Sequence, residues 1–177
     1  METKQDKTMM TSAERIMDDD YRVREMNEAE YPLLRQFLYE AIFVPDGIPS
    51  PPLSIIEVPE LQVYVADFGM HPADRAFVAE VAGRVVGAVW VRIMDDYGHV
   101  DDETPSLAIA LYEAYRGRGI GSVLLKQMLD VLEKSGYAQV SLSVQPANRA
   151  VRMYRRAGFE VVGERDGSWL MVRRFCG

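Results

Sequence analysis

The apolar positions of this chain change period several times, and each change marks an element. Residues 21–26 alternate as a strand does. Asn27 followed by Glu30 has the form of a capping box, and Tyr31, Leu34, Leu38 and Ile42 then recur on one helical face. Pro45, Pro49, Pro51 and Pro52 break the pattern; lacking amide donors and with φ fixed, they predict a stiff, extended loop. A short second helix is expected from Pro59, with Leu61, Tyr64, Val65 and Phe68 inward and Gly69 as its C-cap. Residues 77–81 and 84–94 read as a hairpin turning at Ala82-Gly83. The next strand spans residues 106–111, with Leu107, Ile109 and Leu111 on one face and Ser106, Ala108 and Ala110 on the other. A long helix runs from there to about Ser135. Its Leu124, Leu125, Met128 and Leu132 face a core, and its Lys126, Asp130, Glu133 and Lys134 face water. Val140, Leu142 and Val144 alternate with Ser141, Ser143 and Gln145 as a further strand. A last helix over residues 148–157 closes at Gly158, and strands over 159–164 and 169–175 turn at Asp166-Gly167.

The strand–helix–strand run over residues 106–145 demands a parallel pair with a right-handed crossover, while the hairpins pair antiparallel. The expected class is mixed α/β in one domain over residues 21–177. Residues 1–20 are polar and methionine-dotted and end in Asp18-Asp19-Asp20, which predicts a leader with at most a short helix around residues 12–17.

Composition narrows the function. The 177 residues carry 27 acids against 20 bases, a net charge of −7, which argues against general binding to nucleic acid or an anionic membrane. No apolar run approaches the roughly 18 residues of a membrane span, and the N-terminus lacks a signal-peptide pattern. Cys176 is the single cysteine, so an internal disulfide is excluded and a reducing cytoplasm is expected. His71 and His99 stand too far from it and from each other for zinc-ligand spacing, so no metal is expected.

Against this acidity, Arg116, Gly117, Arg118, Gly119, Ile120 and Gly121 form a basic, glycine-rich turn between a strand and a helix, with no acid from Ala114 to Leu129. The first amides of a helix lack internal partners and the macrodipole is positive there. Glycines let such a backbone approach an anion closely, so main-chain amides here would hold a diphosphate. The spacing is G-x-G-x-G, not the G-x-G-x-x-G of a dinucleotide fold, and no Walker sequence is present. A plain glycine-rich turn fits the same residues equally well.

The turn resembles the R/Q-x-x-G-x-G/A signature of the GCN5-related N-acetyltransferases (GNAT). Downstream, Asn148, Ala150, Tyr154, Gly158 and Phe159 are similar to that family's N-x-A-x-x-x-Y-x-x-x-G-F segment, at the expected helix-plus-strand separation. The resemblance covers nearly all of the chain beyond the leader. It implies a mixed, mostly antiparallel sheet of six to seven strands, with a central parallel pair splayed apart and helices on both faces. It implies acetyl-CoA as cosubstrate and direct transfer to a primary amine of a small molecule or protein. The amides of residues 116–121 would cradle the pyrophosphate, the backbone at Ala110 and Leu111 would meet pantetheine and thioester, and Asn148 would bond pantetheine or the neighbouring strand. Tyr154 would face the sulfur as general acid. A dimer is common in such a family, and no interface is legible here.

Each of these residues has a second meaning. Asn148 suits an N-cap, Tyr154 a core aromatic, and the small face of residues 106–110 close packing under a helix. Tyrosine titrates near about 10 and a thiol near about 8.5, so a phenol can hold a proton for a departing thiolate. The general base is expected among Glu103, Glu113 and His99, with Glu103 preferred. Asp95, Asp96, Asp101, Asp102 and Glu103 together read as a solvated face, or as a lure for a cationic amine. The arginines of the last helix (Arg149, Arg152, Arg155, Arg156) read as its wet side, with one suited to a 3′-phosphate. Two other classes stay open: a non-catalytic acyl-CoA-binding domain, which would not need Tyr154, and a nucleotide-binding module of another α/β fold.

Overall fold

Ala82 and Gly83 take φ of +49° and +80°, the left-handed pair of a tight hairpin turn. They join β2 (Arg75–Val81) to β3 (Arg84–Arg92) within a seven-stranded sheet. The computed structural model describes residues 20–176; all of the expected leader but Asp20 lies outside them. β1 (Tyr21–Glu25) lies antiparallel on β2, and β4 (Ser106–Leu111) antiparallel on β3. β5 (Gln139–Val144) follows in parallel with β4, and β6 (Glu160–Arg165) with β7 (Ser168–Arg174) completes the order β1-β2-β3-β4-β5-β7-β6. The parallel pair and the strand boundaries agree with the hydrophobic pattern to within one or two residues.

Strand alternation divides the interior into two cores. α3 (Ile120–Lys134) and α4 (Ala150–Arg156) cover one face, where Leu124, Leu125, Met128 and Leu132 pack with Val89, Leu107 and Leu142. α1 (Leu34–Ala41) covers the other, where Leu34, Phe37 and Leu38 pack with Val78, Ala88 and Trp90. β4 contributes Leu107 and Ile109 to the first side and Ala108 and Ala110 to the second, as its alternation predicts. No helix of the described residues is long and apolar enough to cross a membrane.

Two helices differ from expectation. The first begins as a 3-10 segment, Glu28–Leu33, and becomes α only at Leu34, because Pro32 has no amide to donate within it. Glu30 still closes on the Asn27 amide at 3.0 Å. The second, α2 (Pro59–Gln62), stops well short of Phe68. The cause lies in β3. Arg92 Nη1 donates to the carbonyls of Val63 (3.0 Å) and Ala66 (2.8 Å), and Trp90 Nε1 donates to that of Tyr64 (3.0 Å). These are the carbonyls a longer helix would use.

Arg92 is itself held by a two-pronged ion pair with Asp74, at 3.1 and 3.0 Å, and both side chains are buried. Asp74 also accepts the amides of Gly69 and His71, so its charge is well surrounded by donors. Asp74→Asn leaves a buried guanidinium without its anion. We expect a loss of about 3–5 kcal/mol in urea unfolding; a loss below about 1 kcal/mol would show that this pair does not hold residues 63–74 to β3.

Candidate functional site

β4 and β5 share one registered pair, Ser106 with Ser141, supported by the Ser141 amide on the Pro105 carbonyl at 3.0 Å. Beyond it the strands part. Each is fixed on its other side, β4 by β3 along Ser106–Leu111 and β5 by β7 along Gln139–Val144, so neither can turn to close the gap. The facing edges past this vertex therefore carry backbone groups without ladder partners. Such an edge can bond an extended, amide-bearing chain.

The β4 C-terminus leads through a short turn, Glu113–Tyr115, into the glycine-rich segment. Gly117 and Gly119 have φ of +74° and +84°, and a Cβ on either would meet nothing within 4 Å. They are required by backbone conformation, not by space. α3 starts at Ile120, and the amides of Gly119, Ile120, Gly121 and Ser122 have no backbone acceptor within the described residues. They point from the positive end of a 15-residue helix dipole. Gly121 brings α3 against Met153 of α4 and Leu111 of β4, so turn, strand and last helix meet at one place.

The two arginines act differently from simple anion ligands. Arg116 donates Nε to the Leu111 carbonyl (3.0 Å) and Nη2 to the Glu40 carbonyl (3.2 Å) and Glu40 carboxylate (3.0 Å). Its side chain straps the turn to the end of α1. Arg118 stacks over the Tyr115 ring at 5.9 Å. Both side chains are engaged, which leaves the main-chain amides as the open donors of this turn.

Tyr154 is buried in α4, edge-on to Phe159 at 5.8 Å. Its hydroxyl bonds no described residue, and among the described residues no fully buried side-chain oxygen or nitrogen lacks a partner, so this oxygen keeps some exposure. Burial pushes its phenol above the ordinary value, so it keeps its proton at neutral pH. Asn148 Oδ1 accepts the Ala150 amide at 2.9 Å, but the N-cap of α4 is Arg149, one residue later than expected, and it carries no side-chain cap bond. Ala110 and Leu111 end β4 beside the turn. Glu103 is exposed, its own amide donating to Asp101 Oδ1 at 2.9 Å, and Glu113 is likewise exposed. Arg149, Arg152, Arg155 and Arg156 are exposed too, with Arg155 over the Trp169 ring.

One acid departs from the expected solvated run. Asp96 is buried, its Oδ1 accepting from Ser106 Oγ at 2.8 Å, while Ser141 Oγ donates to the Gly98 carbonyl at 2.6 Å. Both serines stand at the vertex of the opening. Nothing in the local sequence separates Asp96 from its four neighbours, apart from its closeness to the end of β3. Two further clefts, of about 420 and 470 Å³, lie between α1 and residues 53–68, with Arg35 in both walls. Neither is lined by β4, β5 or the glycine turn, where the unpaired backbone groups lie. Among the described residues no three His, Cys, Asp or Glu side chains are grouped to hold a metal ion.

Comparisons with known proteins bear on this arrangement. The profile described as Acetyltransferase (GNAT) family matches residues 16–159. Mycothiol acetyltransferase of Propionibacterium freudenreichii subsp. shermanii is 34% identical over 92 residues, 51% of this chain and 29% of that protein. N-alpha-acetyltransferase of Sulfurisphaera tokodaii is 35% identical over 95 residues, 49% of this chain and 56% of that protein. The chain thus spans less than two thirds of the length of these relatives. Among solved structures, PaiA N-acetyltransferase from Thermoplasma acidophilum in complex with coenzyme A superposes with a TM-score of 0.65 at 16% identity, covering 88% of this chain and 99% of that one. A GNAT-family acetyltransferase from Streptococcus pneumoniae gives 0.65 at 20%, covering 89% and 100%. At these identities the structural likeness concerns the fold.

The glycine conformations give a direct test of the turn. Gly119→Ala forces a Cβ into left-handed backbone and is expected to lower stability by about 1–2 kcal/mol. Gly163→Ala, where a Cβ also meets open space but φ is ordinary, is expected to change it by less than about 0.5 kcal/mol. Equal thermal-denaturation midpoints for the two variants would refute the conformational requirement.

Proposed function

The chain belongs to the GNAT acetyltransferase family, and we propose that it transfers an acetyl group from acetyl-CoA directly to a primary amine of a small molecule or protein. The observation that carries this reading is the coincidence of three open features: unpaired β4 and β5 edges, uncapped α3 amides, and the unbonded hydroxyl of Tyr154. The fit to acetyl-CoA is chemical. The amides of residues 117–121 suit a pyrophosphate, with Arg116 bracing the turn from behind and Arg118 adding charge. The edges at Ala110 and Leu111 suit pantetheine amides, and Asn148 bonds the first turn of α4. When bound, acetyl-CoA supplies an activated acyl carbon and a thiolate leaving group.

The protein's own part is to orient and to move protons. Tyr154 holds a proton on its phenolic oxygen and gives it to the departing sulfur. The incoming amine must lose a proton; we assign Glu103, whose hydrated carboxylate on the loop before β4 can exchange protons through water. The reaction needs no thiol from the protein, and the free Cys176 is exposed. The cytoplasm suits an enzyme with one free cysteine.

Acetyl-CoA is expected to raise the melting temperature, because a ligand at a hundred times its Kd adds about 2.7 kcal/mol to stability. NAD and ATP are expected not to do so. Tyr154→Phe should lower turnover about 100-fold or more in a thiol-release assay over a broad amine panel. Its acetyl-CoA affinity should stay within about twofold, the signature of a group acting only in the transition state. Unchanged turnover would remove Tyr154 from the mechanism, and absence of any acetyl-CoA shift would remove the cosubstrate.

A further inference from the structure

At the vertex of the β4–β5 opening a short chain of polar groups runs between the strands. Asp96 Oδ1 meets Ser106 Oγ at 2.8 Å, Ser106 Oγ lies 3.5 Å from Ser141 Oγ, and Ser141 Oγ meets the Gly98 carbonyl at 2.6 Å. Both serines are fully buried. The hydrogens can be counted. A carbonyl only accepts, so the Ser141 hydrogen is committed to Gly98. If Asp96 is ionised, the Ser106 hydrogen is committed to its carboxylate. The two serine oxygens then face each other with lone pairs only. If Asp96 carries a proton, it donates to Ser106 Oγ, and the Ser106 hydrogen is free to turn to Ser141. The chain then runs in one direction from Asp96 through both serines to Gly98.

We propose that Asp96 is a positioning residue of the cleft. By taking up one proton from solvent it turns the Ser106 hydroxyl onto Ser141 and closes the side-chain hydrogen bond between β4 and β5 at the point where they separate. No other polar side-chain contact joins the two strands among the described residues; Gln139 reaches Thr104, just before β4, at 3.0 Å. The bond therefore acts on the vertex angle of the opening.

The surroundings of Asp96 favour this proton. Burial pushes its carboxyl above the ordinary range, while the Ser106 hydroxyl, the Tyr64 phenol and the Gly98 amide hold it down, and no cation is among the groups acting on it. Tyr64 faces it from the segment after α2, with its own phenol raised by burial and then by Asp96, and with Tyr97 nearby. β4 and β5 present the neutral Ser106 and Ser141. On its own loop, Asp95, Asp101, Asp102 and Glu103 are exposed, and His99 is turned to the Met94 carbonyl and toward Asp102.

The test rests on acetyl-CoA occupying this cleft, and it carries a second readout that does not. Asp96→Asn keeps the size of the side chain, and its amide N–H can donate to Ser106 as the protonated acid would. Acetyl-CoA affinity is measured from pH 5 to 8 for the wild type and this variant. Their ratio removes the titration of the ligand's own phosphates. The two are expected to bind alike at low pH and to diverge at high pH, where the variant binds about fivefold more tightly. Ser141→Ala, which lacks the receiving oxygen, is expected to abolish the divergence when combined with Asp96→Asn and compared with Ser141→Ala alone. A ratio constant across the range, or one unchanged by Ser141→Ala, would overturn the proposal. Hydrogen exchange of the β5 amides, corrected for intrinsic pH dependence, is read in parallel without ligand. It is expected to slow below the same pH step in the wild type and to show no step in Asp96→Asn. If acetyl-CoA fails to bind at any pH, the function proposal falls, and the exchange profile alone decides for or against the switch.

Discussion

A single registered pair, Ser106 with Ser141, lets this sheet be continuous and open at once. If β4 and β5 were paired along their full length, no unpaired backbone would remain to receive a ligand. If they were not paired at all, β1 to β4 and β5 to β7 would be separate sheets sharing only a helical layer. One pair keeps Leu107, Leu142 and Met128 in a common core while the far ends diverge. The opening persists because the other ladder of each strand is complete. Backbone groups left without partners in a dry site are unfavourable by about 1–3 kcal/mol each, so the open edges must meet water or a ligand.

The two faces of the sheet are mechanically joined at the open end. Arg116 links the glycine turn to Glu40 at the end of α1, and the Tyr112 hydroxyl, one residue past β4, donates to Gln36 of the same helix at 2.6 Å. Arg84 lies over the Tyr112 ring at 5.4 Å. A helix on one face is thus fastened to the glycine turn that starts α3 on the other. A partly exposed ion pair contributes only about 0–1 kcal/mol by itself. Its effect here is to fix direction: Arg116 holds the Leu111 carbonyl and the Glu40 main chain at once, so the last residue of β4 and the turn share one frame.

The periodic parts of this architecture were legible in the sequence. Strand alternation at residues 106–111 and 140–145 named the correct inward residues, and Ala82-Gly83 and Asp166-Gly167 marked tight turns with positive φ. The glycine turn was legible because left-handed backbone and a helix start are local demands. The length of α2 was not, because its end is set by Arg92 and Trp90, nearly thirty residues away, capturing carbonyls of residues 63–66. The strap from Arg116 to Glu40 was illegible for the same reason: charge in a basic window predicts attraction to an anion, not which anion. Asp96 was grouped with its exposed neighbours since composition cannot show which acid of a run turns inward.

That inward turn follows a different logic from the Arg92–Asp74 pair. There the carboxylate is buried with a guanidinium and two amides, and the arrangement holds a loop on the sheet. Asp96 is buried with hydroxyls and an amide but no cation, so its charged form gains little to offset its desolvation. Because its native pKa is raised, folding favours the protonated acid. The stability it contributes declines as pH rises from the unfolded value through the raised folded one. A group that weakens the native state as it ionises has no structural advantage over an asparagine. The strand edges that remain unpaired beyond the same vertex are likewise unfavourable to stability. Two local departures from the stable solution therefore meet at the Ser106–Ser141 vertex, the buried acid from the loop before β4 and the unpaired strand edges beyond it.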